Sequence, residues 1–236
     1  MANTNLTVYA NTQKRENTLL RNVYGFMTLG LALTAVVAWL SSTSPAVYRI
    51  FLINPFGSII LLIAQFALVF FLSARLEKLS TAAAVLCFAG YSALTGLSLS
   101  AIFIAYAHAT IWKAFLTTSA MFVGMTVYAT FTKRNIASWG NWLVMGLWGV
   151  IIATMINLFL GSSTFDIIIS LVGVVLFTGL TIWDTKRVVE MNREYGSEMT
   201  HEEHTKLGVI GALNLYLDFL NIFLYLLRIY AATDKN

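Results

Sequence analysis

The chain consists mainly of long apolar runs, separated by short segments that carry most of its charged side chains. A helix of about 20 residues crosses the roughly 30 Å hydrocarbon core of a bilayer. Each run approaches or exceeds that length, so the pattern predicts an all-α, polytopic integral membrane protein. Its seven predicted spans are Val23–Leu40, Phe56–Leu72, Ala82–Tyr106, Ile111–Phe131, Trp142–Leu160, Phe165–Val189 and Leu207–Tyr230.

These spans predict one transmembrane domain over residues 23–230. We expect a polar N-terminal tail, residues 1–22, and a short external tail, residues 231–236. The first apolar run is longer than the 7–15-residue core of a signal peptide, so we expect it to be retained as an anchor. Lys and Arg are concentrated in the N-terminal tail and in the connections after spans two, four and six, which predicts a cytoplasmic N-terminus.

Composition excludes several other classes of protein. Hydrophobic residues make up 58% of the chain and charged residues 11%, well below the roughly 25% charged residues of soluble domains. The single cysteine, Cys87, cannot form an intrachain disulfide. Basic residues lie at the span ends and form no single patch, so the net charge of +4 does not predict nucleic-acid binding.

The seventh span carries a polar stripe in an otherwise apolar segment. Asn214, Asp218, Asn221, Tyr225 and Arg228 recur every three or four residues, which places them on one face of a helix. An ionisable side chain at membrane depth costs about 2.5–3.5 kcal/mol on insertion scales. We therefore expect this face to point into the helix bundle or a wet cavity.

A matching stripe in the sixth span is small or polar at most of its positions, namely Ser170, Gly173, Phe177, Thr181 and Asp184. On antiparallel helices Asp184 and Asp218 differ in depth by only about 9 Å at 1.5 Å per residue. Two carboxyl groups in contact in a low dielectric would share one proton and titrate as a unit. The pair is thus a candidate pH switch and weak cation site, and the alternative is a purely structural hydrogen-bonded pair.

The segment between these spans, Met191–Lys206, contains two histidines among several acids. A His-x-x-His spacing with acids is compatible with a metal site. We favour a solvated cytoplasmic loop. The acidic and histidine side chains are Glu194, Glu198, His201, Glu202, Glu203 and His204.

Three segments resemble the Bax inhibitor family, the transmembrane Bax-inhibitor-motif proteins, and are most similar to its bacterial YccA/YbhL-like branch. The resemblance runs over nearly all seven spans. The segments most similar to the family are Ala93–Ser100 with Ile102 and Phe103, Gly179–Asp184, and Leu213–Arg228.

The resemblance implies a seven-helix fold with the last helix central, in the bacterial inner membrane. It also implies a pH-sensitive calcium leak gated by an aspartate pair, which maps to Asp184 and Asp218. The arginine near the end of the last helix maps to Arg228. Its expected partner, a glutamate of the second span, is replaced by Gln65, an amide that cannot neutralise an arginine.

Two other functions are compatible with the sequence. One is a non-conducting regulator that binds a membrane protease or the machinery of the stress response or of cell death. The other is an intramembrane aspartyl protease, which the sequence disfavours because Leu215–Asp218 lacks the Gly-x-Gly-Asp context of those enzymes. We expect no enzyme and no cofactor, with the lipid bilayer and calcium or another cation as partners.

Overall fold

The computed structural model describes residues 2–195 and 199–234, and these ranges contain helices and no strand. Seven long helices are connected by short segments, among them a helical turn at Pro45–Val47, a π-helical turn at Tyr48–Ile53 and a 3-10 turn at Leu76–Lys78. The long helices are α1 Ala2–Ser42, α2 Pro55–Arg75, α3 Thr81–Ala105, α4 His108–Phe131, α5 Trp139–Leu160, α6 Ser163–Tyr195 and α7 His201–Thr233. The predicted all-α class is confirmed.

All seven helices are long and apolar enough to cross a membrane. Their exposure to the surroundings differs widely. In α5 only 6% of the most apolar stretch is buried, and Leu158 and Phe159 project outward, which suits a helix that faces lipid. In α7 the buried share is 72%, against at most 39% in the other six helices. The last helix is therefore the most enclosed one, as a central helix should be.

The first helix extends well beyond its predicted start. Helix α1 begins at Ala2, so the segment predicted as a polar tail is helical, and the part suited to a membrane is Thr18–Ser42. Polar residues can extend a helix beyond the bilayer because its backbone hydrogen bonds are internal.

The predicted loop Met191–Lys206 is also shorter than expected. Helix α6 continues to Tyr195 and α7 starts at His201, so most of the segment is helical. At the start of α7 the Thr200 amide donates to the Glu203 carboxylate at 2.7 Å, and the Glu203 amide donates to the Thr200 hydroxyl at 3.3 Å. This reciprocal arrangement is a capping box. Glu198 lies outside the described residues.

The described residues form two compact units. The first comprises residues up to Ala105 together with Val188–Tyr216. In it, α1 and α3 approach closely at Gly96, where an added Cβ would lie 2.7 Å from the Thr34 carbonyl oxygen. The Thr34 and Tyr216 hydroxyls are hydrogen-bonded at 2.6 Å, and the Tyr216 ring meets that of Phe88 edge-on. Buried hydroxyls thus join α7 to α1.

The second unit comprises Tyr106–Arg187 and the segment that starts at Leu217. Helices α5 and α6 approach closely at Gly140, where an added Cβ would lie 2.8 Å from the Trp183 side chain. The Phe219 ring of α7 lies edge-on to Phe115 and Phe122 of α4, at centroid distances of 5.8 and 5.6 Å. This unit contains the end of α6 that carries Asp184 and the part of α7 that carries Asp218.

Candidate functional site: an acid pair and an ion pair on two helices

The polar stripes of α6 and α7 face each other in the second unit. The Phe177 and Tyr225 rings have centroids 5.9 Å apart, and Gly173 lies directly against the Tyr225 ring. The positions of α6 recur every three or four residues, so the contacts stay on one side of the helix. These residues therefore line one seam between the two helices, which we call the α6–α7 seam.

At one end of the seam the structure brings Asp184 and Asp218 together. Asp184 is only 8% exposed and Asp218 only 4%. The two carboxyl groups are within side-chain hydrogen-bonding reach, and the Thr181 hydroxyl is within the same reach of the Asp218 carboxyl group. Two carboxylates cannot hydrogen-bond to each other unless one of them carries a proton. The geometry thus suits a pair that shares one proton.

One oxygen of this pair is not satisfied. Asp218 Oδ2 is buried and has no hydrogen-bond partner within the described part of the chain. Leaving a buried acceptor unsatisfied costs about 1–3 kcal/mol. An unsatisfied carboxylate oxygen beside a second acid is a potential ligand for a proton or a cation.

The basic side chains of α6 that follow Asp184 have other contacts. The Lys186 ammonium is buried and donates to the Thr132 carbonyl oxygen at 2.8 Å, at the C-terminal end of α4. The Arg187 guanidinium lies 5.3 Å from the centroid of the Trp183 ring. Asp184 is the ionisable group that acts on Asp218 electrostatically. Asp218 therefore faces a like charge on α6.

The two predicted amides of the polar stripe are less directly involved. The Asn221 side chain donates to the Leu217 carbonyl oxygen at 2.8 Å, within its own helix. Asn214 belongs to the first unit. Within the described residues no group of three or more His, Cys, Asp or Glu side chains could hold a metal ion. The acid pair alone offers too few ligands for a tight calcium site, which needs six to eight oxygens.

At the other end of the seam, Arg228 of α7 pairs with Asp166, an acid outside the polar stripe predicted for span six. The guanidinium Nη1 lies 3.5 Å from Asp166 Oδ1, and the two side chains are 36% and 39% exposed. Asp166 stands in the first turn of α6. The signal in the sequence is an acid at the N-terminal end of span six and an arginine at the C-terminal end of span seven, two ends that antiparallel helices bring close.

Gln65, the residue in place of the expected glutamate, binds a neighbouring helix of the first unit. Its side-chain amide nitrogen donates to the Leu94 carbonyl oxygen at 2.9 Å and to the Ser98 hydroxyl at 2.7 Å. These contacts join α2 to α3. The structure thus assigns Arg228 an ionic partner on α6 and Gln65 hydrogen-bond partners on α3.

Comparisons with known proteins agree with this architecture. A family model described as "Inhibitor of apoptosis-promoting Bax1" matches residues 16–235. The chain is 44% identical over 213 residues to the inner membrane protein YbhL of Escherichia coli (strain K12), covering 90% of this chain and 91% of YbhL.

Other relatives extend over a similar length. A protein of Borreliella burgdorferi is 39% identical over 222 residues, covering 92% of this chain and 95% of its own. An uncharacterized membrane protein of Streptococcus pyogenes serotype M1 is 32% identical over 239 residues, covering 96% of this chain and 98% of that protein. None of these names states an enzymatic activity. The chain is a multi-pass membrane protein that belongs to the Bax inhibitor family.

Proposed function

We propose that this protein is a pH-sensitive cation leak of the bacterial inner membrane, with the Asp184–Asp218 pair as its gate and calcium as the candidate ion. The observation that carries the proposal is the contact of two buried carboxyl groups on α6 and α7. Acids at membrane depth commonly mark ion or proton paths. The membrane assignment rests on the relative YbhL, an inner membrane protein.

The gate follows from the charge of the pair. With one proton shared, the carboxyl groups hydrogen-bond and hold α6 against α7. When that proton leaves, two like charges a few ångströms apart repel each other in a medium of low dielectric. Rising pH therefore loosens the seam, and we expect cation flux to be larger at pH 8 than at pH 5.

The same oxygens supply a transient cation site. The unsatisfied Oδ2 of Asp218 is one hard ligand, and the carboxylate of Asp184 is a second. Calcium prefers oxygen ligands and several of them, so two carboxylates give weak binding. Weak binding suits passage, since an ion that conducts must also leave.

The direct test is calcium flux into proteoliposomes from pH 5 to pH 8, with Asp184→Asn and Asp218→Asn beside the wild type. Either substitution should abolish the pH dependence, because asparagine keeps the shape and hydrogen bonds of the site without titrating. Asp166→Asn is the matched control, since it neutralises an acid of the same helix outside the pair. It should keep the pH dependence.

Absence of calcium flux in folded wild-type protein at every pH would overturn the proposal. The non-conducting regulator of a membrane protease would then be the better hypothesis. Cross-linking in native membranes tests that hypothesis, because a regulator must be recovered with a partner other than itself.

A further inference from the structure

Between the acid pair and the ion pair, the α6–α7 seam is occupied by the ring of Tyr225. Tyr225 follows Asp218 by seven residues, about 10 Å along the helix, and precedes Arg228 by three. The residue is only 8% exposed. A cation that moves along this seam from the Asp166–Arg228 end to the acid pair must pass the ring.

Gly173 determines how tightly the ring closes the seam. A Cβ added at this glycine would lie 2.5 Å from Tyr225 Cε2 and 2.7 Å from Cδ2 and Cζ. Carbon atoms in contact normally stay about 3.5–4.0 Å apart. The Tyr225 ring therefore packs directly against the α6 backbone at Gly173. Any other residue at position 173 would place its side chain in the space that the ring occupies.

Two further contacts hold the ring in this place. The Phe177 ring is tilted by 39° against it, with centroids 5.9 Å apart. The Arg228 guanidinium lies 5.7 Å from the Tyr225 centroid and is itself held by Asp166. Aromatic pairs and cation–π contacts at such distances are favourable.

We propose that Tyr225 is the steric barrier of the cation path, in series with the acid pair and positioned by Gly173, Phe177 and Arg228. This inference rests on the proposed leak function. It assigns two separate tasks to the seam. The acid pair makes the path respond to pH, and the Tyr225 ring limits how many ions pass once the pair has opened.

The test compares Tyr225→Ala with Tyr225→Phe in the calcium-flux assay. At pH 8, where the acid pair is open, Tyr225→Ala should raise flux by about tenfold, which corresponds to removing about 1.4 kcal/mol from a barrier. The midpoint of the pH dependence should stay at its wild-type value. Tyr225→Phe is the matched control because it keeps the ring and removes only the hydroxyl, so its flux should equal that of the wild type.

Wild-type flux in Tyr225→Ala, or an equal increase in Tyr225→Phe, would overturn this inference and leave the leak function standing. Absence of flux in the wild type would overturn both this inference and the proposed leak function. If Tyr225→Ala fails to fold, as judged by gel filtration and thermal unfolding, Tyr225→Leu replaces it. Leucine has a smaller and shorter side chain than tyrosine, so the flux of Tyr225→Leu should lie between those of Tyr225→Phe and an open seam, and wild-type flux would again contradict the barrier.

Discussion

The two ends of the α6–α7 seam differ in charge and in exposure, although the same two helices form both. At one end two acids, Asp184 and Asp218, are buried together. At the other end an acid and a base, Asp166 and Arg228, form an ion pair whose side chains are more than a third exposed. The first pair is repulsive unless it holds a proton, and the second is attractive.

This difference indicates that one end of the seam responds to ionic strength and the other to pH. Solvent and salt screen an ion pair whose side chains are more than a third exposed, so its strength follows ionic strength. A buried pair of like charges is hardly screened, and its interaction follows its protonation. One pair of helices can therefore loosen in response to pH at one end and remain joined at the other.

The largest effect is expected from breaking the buried end. Asp218→Leu removes one partner and leaves Asp184 buried beside an apolar side chain, so the free energy of unfolding at pH 5 should fall by about 1–3 kcal/mol. At pH 8 the loss should be smaller, because the substitution also removes the repulsion between two carboxylates. Thermal unfolding of the purified protein at both pH values measures this difference.

A control for this substitution comes from the first unit. Thr34→Val removes the hydroxyl that bonds to Tyr216 at 2.6 Å. It should lower stability by about 1 kcal/mol at pH 5 and pH 8 alike, because neither hydroxyl titrates in that range. A pH-independent loss in Asp218→Leu would show that the acid pair is an ordinary hydrogen bond.

A smaller effect is expected from the exposed end. Asp166→Asn breaks the ion pair with Arg228, and exposed pairs contribute about 0–1 kcal/mol. The stability lost in Asp166→Asn should be smaller in 1 M salt than at low salt, because the Debye length in 1 M salt is only about 3 Å. Unfolding at low and high salt measures it. A cost that exceeds the loss in Asp218→Leu, or that is unchanged by salt, would contradict the contrast between the two ends.

The sequence predicts the membrane-spanning architecture well, because apolar runs of bilayer length have few alternative structures. It predicts helix ends poorly where polar residues continue a helix into water, as before Thr18 in α1 and after Val189 in α6. In such segments no apolar periodicity marks the boundary. Backbone hydrogen bonds and caps such as that of Thr200 and Glu203 set the end instead.

For the site, matching depths on antiparallel helices were sufficient to predict that Asp184 and Asp218 are near each other. The sequence does not predict the ionic partner of Arg228, because Asp166 lies at the very start of span six, outside the polar stripe of that span. Gln65 shows a different limit. An amide side chain can both donate and accept hydrogen bonds, so many polar groups are suitable partners for it. The sequence therefore does not predict which groups of α3 bind Gln65.

The most direct test of the account is an infrared titration of the protein in lipid, which detects the C=O absorption of protonated carboxyl groups. We predict a carboxyl band that disappears over the same pH range in which calcium flux rises. The band should be changed in Asp184→Asn and in Asp218→Asn alike, since the two acids titrate as one unit, and it should persist in Asp166→Asn. A band that is insensitive to either substitution of the pair, or that disappears at a pH unrelated to the change in flux, would contradict a proton-controlled gate at Asp184 and Asp218.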